Sequence, residues 1–162
     1  MAKGIAGGFP LSAFIARSEI AEAFTPGSHL STFGGNPVSC AASLANIEVI
    51  DDEKLSENAA TRGAQLMDAL RPLEDELTLV GELRGRGLMI GLELVTGADK
   101  SPAAAQAKDV KTRCREAGIL IGVGGTFANV LRLQPPLVLN EGEAAQIVET
   151  LSKVLRDVNA TL

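Results

Sequence analysis

Residues 129–158 read NVLRLQPPLVLNEGEAAQIVETLSKVLRDV, and their pattern decides the architecture of most of the chain. Within Asn129–Gln134, Arg132 stands between Leu131 and Leu133, the alternation of a short strand, and Pro135-Pro136 follows. Asn140 and Glu143 then have the spacing of a capping box, in which each satisfies a free donor of the other. Beyond them Ile147, Val148, Leu151, Val154, Leu155 and Val158 line one helical face. A strand followed by an amphipathic helix calls for a layer of each kind.

Working back towards the N-terminus, Ile119–Val123 reads as a second short strand, joined to the first by a hairpin across Gly124-Gly125. Ala103, Ala107, Val110, Cys114 and Ala117 form a helical face that Gly118 closes. Leu88, Ile90, Leu92 and Leu94 alternate with Met89, Gly91 and Glu93, which is again a strand. Leu55, Ala59, Gly63, Leu66 and Leu70 recur at helical spacing, and Pro72 stops the run. Residues 55–162 therefore predict helix, strand, helix, strand, strand, helix: an α+β unit with its own core.

The first 54 residues read differently. Asn36-Pro37 is a strong helix start, a capping side chain followed by a residue whose missing N–H costs nothing there, and the helix should run to about Ile50. Its small residues, Ser39, Ala41, Ala42, Ser43 and Ala45, allow close packing and suit a bridge between two layers. Residues 28–36 are a polar, glycine-rich loop. Ser18 is placed to cap a short helix over Glu19–Phe24 that Pro26-Gly27 ends, and Leu11–Ala16 reads as a strand. Residues 1–36 form no closed unit and look like the edge of something larger.

Composition narrows the function. A net charge of -5 and a pI near 4.9 argue against nucleic acid or an anionic membrane as a partner. Aromatics are only 3% of the chain, too few for base-stacking platforms. One histidine and two distant cysteines cannot assemble a zinc site, so metal chemistry is set aside. The same two cysteines argue against a disulfide framework, and a cytoplasmic location is expected.

Three places could carry chemistry. Lys3 stands beside Gly4, Gly7 and Gly8; a lysine that forms a Schiff base needs such small surroundings, although on composition alone the favoured reading is plain solvated charge, which is what lysines near a chain end mostly are. Ser31 and Thr32 precede Gly34, Gly35 and a helix N-terminus, a setting that suits a phosphate or a simple connection. Arg132 faces away from the side its leucines bury and could present a bidentate fork to a carboxylate, or form a surface ion pair.

Four segments together resemble one family. AKGIAGGFPLSAFIAR (2–17) is similar to the cofactor-lysine segment of class III pyridoxal-phosphate (PLP) aminotransferases, and HLSTFGGNPVSCAASL (29–44) to the loop and helix that follow it. RGRGLMIGLEL (84–94) and NVLRLQPPLVLNEGE (129–143) resemble two later landmarks of the same family, in the same order. The resemblance extends to the 4-aminobutyrate, acetylornithine and alanine–glyoxylate types. It implies a type I PLP-dependent transferase fold. Residues 1–36 would be the end of its large α/β domain, 37–54 a linking helix, and 55–162 the α+β C-terminal small domain. It implies that Lys3 carries PLP and moves the substrate proton, that Thr32 reaches the cofactor phosphate of a neighbouring subunit in a homodimer with Ser31 beside it, and that Arg132 holds the carboxylate of an amino acid or 2-oxo acid. Most of the family's large domain precedes the lysine. The expectation is thus a truncated part, weakly active or inactive alone, of a parent that transfers amino groups from an amino acid or ω-amine to a 2-oxo acid. Relatives sharing the lysine segment include a decarboxylase, racemases and an aminomutase. A non-catalytic association module that complements a separate N-terminal half is the remaining alternative.

Overall fold

A computed structural model describes residues 1–162, and its contacts divide the chain into two compact units, Met1–Leu55 and Ser56–Leu162. In the first unit, a single 3-10 turn covers Lys3–Ala6, α1 spans Ser18–Ala21 and α2 spans Pro37–Asp52. Asn36 caps α2 as its residue type predicts: its side-chain oxygen accepts from the Ser39 N–H at 2.9 Å, and Pro37 takes the first helical position. The packing partner of α2 within this unit is the 3-10 turn.

Two expectations for this unit fail. Leu11–Ala16 is not a strand, because no neighbouring strand offers it a ladder; its reciprocal pairing is limited to Ala13 with Met1. Ser18 is the first residue of α1 rather than its cap, Arg17 occupies the cap position without a side-chain bond, and the helix is one turn long. Phe14 and Phe24 instead pack ring to ring, with centroids 5.2 Å apart and planes inclined by 33°.

The second unit begins with the body of α3 (Leu55–Leu70), followed by a short helix α4 (Leu73–Glu76), and the strands β1 (Val80–Arg86), β2 (Met89–Thr96) and β3 (Ser101–Pro102). Helix α5 (Ala104–Glu116), strands β4 (Gly122–Gly124) and β5 (Val130–Leu133), and helix α6 (Glu141–Asn159) complete it. The antiparallel sheet has the order β1-β2-β5-β4, with β3 paired to the end of β2. Ile90, Leu92 and Leu94 on β2 and Leu131 and Leu133 on β5 are buried, so one face of the sheet closes a core with Leu66 and Leu70 of α3, Val110 and Cys114 of α5, and Leu151, Leu155 and Val158 of α6. The capping box forms in both directions between Asn140 and Glu143.

The helices and strands expected of residues 55–162 are present in the expected order, with additions. Strand β1, helix α4 and the short β3 were not foreseen, and the strand placed at Ile119–Val123 is confined to Gly122–Gly124. Leu88 lies in the β1–β2 turn instead of the strand, which starts at Met89. Gly63 has a steric reason: a Cβ there would come within 2.3 Å of the Gly87 carbonyl oxygen, so α3 meets that turn backbone to backbone. No helix is long and apolar enough to cross a membrane.

Candidate functional site

Lys3 opens the 3-10 turn with φ at 58°, the left-handed region that L-residues with a Cβ adopt at a cost. The turn around it holds that conformation. Gly8 N–H reaches the Lys3 carbonyl at 3.4 Å, Gly7 N–H the Gly4 carbonyl at 3.2 Å, and Gly7 itself is left-handed at φ 60°. The Lys3 side chain is exposed and makes neither an ion pair nor a hydrogen bond. Its surroundings are open, since a Cβ added at Gly4, Gly7 or Gly8 would meet nothing within 4 Å.

Ser31 and Thr32 lie in the loop before α2, both exposed, with hydroxyls that donate to no other group. Gly34 is required there, because a Cβ would sit 2.8 Å from the Ser31 Cβ and Oγ. Asn36 anchors the end of the loop: its Nδ2 donates to the Phe33 carbonyl and to Ser39 Oγ, each at 2.9 Å. No hydrogen bond joins Lys3 to Ser31 or Thr32; they are separate places on the first unit.

Arg132 belongs to the second unit and behaves as its alternation predicts: it is exposed on the open face of the sheet while Leu131 and Leu133 are buried. The register puts it in a row across the strands, Arg84, Gly91, Arg132, Gly122. The two arginines differ in electrical state. Arg84 donates to Glu93 at 2.7 Å and also bonds Glu82, so its charge is matched. Glu93 is held below the ordinary carboxylate value chiefly by that hydrogen bond from Arg84, and Asn129, only 2% exposed, adds a weaker one at 3.5 Å. Arg132 has no acidic partner. Its stem lies on glycine: a Cβ at Gly124 would come within 3.0 Å of Arg132 Nε, and one at Gly122 within 3.4 Å. A cleft of about 360 Å³ opens beside it, between Arg84, Met89, Gly91, Val130 and Gln134. An unpaired guanidinium over a glycine floor is suited to a carboxylate in bidentate contact.

The glycine floor and the neutralised Arg84 were not recognised in the sequence. Gly122 and Gly124 become meaningful only with the strand register known, since neither adjoins Arg132 along the chain. No cluster of His, Cys, Asp and Glu could hold a metal ion, and Cys40 and Cys114 are free thiols.

Comparison with known proteins gives a consistent result. The model of the aminotransferase class-III family matches residues 1–155. A mitochondrial alanine–glyoxylate aminotransferase 2 homologue of Arabidopsis thaliana is 46% identical over 152 residues, which are 93% of this chain and 32% of the relative. An acetylornithine aminotransferase of Methanothermobacter thermautotrophicus is 40% identical, over 98% of this chain and 38% of its own length. Among solved structures, an amine transaminase from an uncultivated Pseudomonas species in its PLP-bound form superposes with a TM-score of 0.74 at 37% identity, covering 82% of this chain and 30% of that one. The chain spans about a third of the length of the curated relatives it matches.

Proposed function

The chain belongs to the class-III aminotransferases, and from that premise we propose that it supplies the cofactor lysine and the carboxylate-binding arginine of a transaminating enzyme acting on an amino donor and a 2-oxo acid. Pyridoxal 5′-phosphate is the cofactor of this family and, when bound, supplies the electron sink that labilises bonds at the amino-bearing carbon. The residues present fit it. The Lys3 amine is unpaired, its neighbours are glycines with open space, and Ser31 and Thr32 keep free hydroxyls before a helix N-terminus. The observation that carries the reading is the unpaired Lys3 at the head of a hydrogen-bonded turn, within a segment matched by the family.

In this proposal Lys3 would hold the cofactor through its amine, and the same amine, when free of the cofactor, would carry the proton at the reacting carbon. Thr32, with Ser31 beside it, donates to the phosphate held by a neighbouring copy in a homodimer. Arg132 orients the substrate by its carboxylate; Arg84 does not compete for it, because Glu82 and Glu93 already neutralise that guanidinium. The remaining family elements lie in the two thirds of the relatives that this chain does not span, and the activity is that of the assembly containing both.

The test is product analysis of this chain combined with the remaining family elements, given PLP, an amino donor and a 2-oxo acid. Exchange of the amino group between the two substrates is expected. Lys3→Ala should lower turnover by about a thousandfold. Arg132→Ala should raise KM for the carboxylate substrate about tenfold with little change in kcat. Loss of carbon dioxide, inversion or migration of the amino group without exchange would replace transamination by decarboxylation, racemisation or aminomutation.

A further inference from the structure

Helix α2 touches both parts of the candidate site on the first unit. Its N-cap, Asn36, fixes the loop that carries Ser31 and Thr32. Ten residues on, about 15 Å along the axis at 1.5 Å per residue, Asn46 points its amide at the turn that carries Lys3. Its Nδ2 donates to the Gly4 carbonyl at 3.0 Å and lies 3.5 Å from the Ile5 carbonyl. Asparagine is a poor choice for a helix interior on propensity alone, so its presence needs a reason outside its own helix. The reason is available in the geometry. Gly4 directly follows Lys3, and its carbonyl is the one that also receives the Gly7 N–H. Donation from Asn46 secures the Gly4–Ile5 peptide group, one residue beyond a lysine held at left-handed φ, where an unsupported turn would relax.

We propose that Asn46 is a positioning residue for Lys3: by tying the Gly4 and Ile5 carbonyls to helix α2, it keeps the lysine turn in the conformation that presents the amine to PLP. This rests on the reading of Lys3 as the cofactor lysine. A positioned nucleophile must be held by a supporting shell whose own geometry is locked, and the two asparagines of α2 make one rigid element that shell for both parts.

The experiment uses the 162-residue chain, alone for amide exchange and combined with the remaining family elements for the PLP titration, and two substitutions. Asn46→Ala removes the amide; Asn46→Asp keeps the shape but replaces the donating nitrogen with a second oxygen facing two carbonyls. Amide hydrogen exchange at Gly7 and Gly8 reports the turn without any cofactor, and the visible absorbance of lysine-bound PLP, titrated with PLP and compared with Lys3→Ala, reports its use. Both Asn46 variants should exchange about tenfold faster at Gly7 and Gly8 and need about tenfold more PLP for half-saturation, with the melting temperature of the Ser56–Leu162 core unchanged. Unchanged exchange and titration in Asn46→Asp would overturn the role of Asn46 and leave Lys3 standing. A wild-type chain whose absorbance does not depend on Lys3 would overturn the cofactor reading of Lys3, and the positioning role with it.

Discussion

The two units treat apolar residues in opposite ways. Ser56–Leu162 buries its leucines and valines in one core, with Leu66, Leu70, Leu92, Leu94, Leu131, Leu151 and Leu155 all at 0% exposure. Met1–Leu55 buries few apolar side chains and leaves Phe9, Phe14, Phe24 and Phe33 between 50% and 74% exposed, with Leu30 at 84% and Ile15 at 87%. One unit is organised for stability. The other is organised by hydrogen bonds around Lys3 and Asn36, and it carries Lys3, Ser31 and Thr32 of the candidate site residues, Arg132 lying in the second unit. On the proposed reading, the cofactor lysine would be presented by a turn that contributes little to the global fold and is tied to a neighbouring helix.

The largest expected difference comes from deleting buried methyl groups. Leu92 and Leu131 face each other across β2 and β5, and alanine at either should cost about 3–5 kcal/mol in denaturant unfolding. Phe33→Ala in the first unit should cost less than about 0.5 kcal/mol, since its ring is 74% exposed. Comparable losses at Phe33 and Leu131 would break the contrast. Next, Gly63→Ala should cost about 1–3 kcal/mol, because the new Cβ meets the Gly87 backbone and no flexible side chain can yield. Third, the two asparagine caps should separate by readout. Asn140→Ala should lower global stability by about 1 kcal/mol, whereas the same change at Asn36 should appear mainly as faster amide exchange at Ser39.

The smallest effect concerns the cysteines. Burial pushes the Cys114 thiol from 9.0 up to about 11, while Cys40 is partly exposed. At neutral pH an alkylating reagent should modify Cys40 and leave Cys114 unmodified until the unit unfolds. Because the folded state keeps the proton that the unfolded state releases, stability from Cys114 is full below pH 9.0 and declines as the pH rises towards about 11. Mass spectrometry of the alkylated peptides and a melting curve across that range check both statements.

The second unit was largely legible in the sequence, for a physical reason. Where a segment buries its own apolar face within the same unit, periodicity reports structure directly: the stripe on α6, the alternation on β2 and the capping box at Asn140 all appear where the pattern put them. Strand β1 escaped because Gly81, Glu82, Arg84, Gly85 and Arg86 interrupt its apolar positions; its place depends on pairing with β2. In the first unit the same reasoning misled. Phe14 and Ile15 resemble strand residues, yet no strand lies beside them. Of the candidate site, Lys3, Ser31, Thr32 and Arg132 stand out by residue type and setting only as candidates with plain readings beside them, and the family resemblance is what gives them roles, whereas Asn46 does not stand out at all. An asparagine within a helix has no signature until the turn it reaches is known.

The account turns on one amine being available to one cofactor, and reductive trapping measures that directly. The chain, combined with the remaining family elements, is incubated with PLP, reduced with borohydride and mapped by mass spectrometry against Lys54, Lys100, Lys108, Lys111 and Lys153 as internal controls. The account predicts that the pyridoxyl group is found predominantly on Lys3, and that Lys3→Ala reduces labelling to the level of the other lysines. Labelling spread evenly over all of them, unchanged by Lys3→Ala, would contradict it.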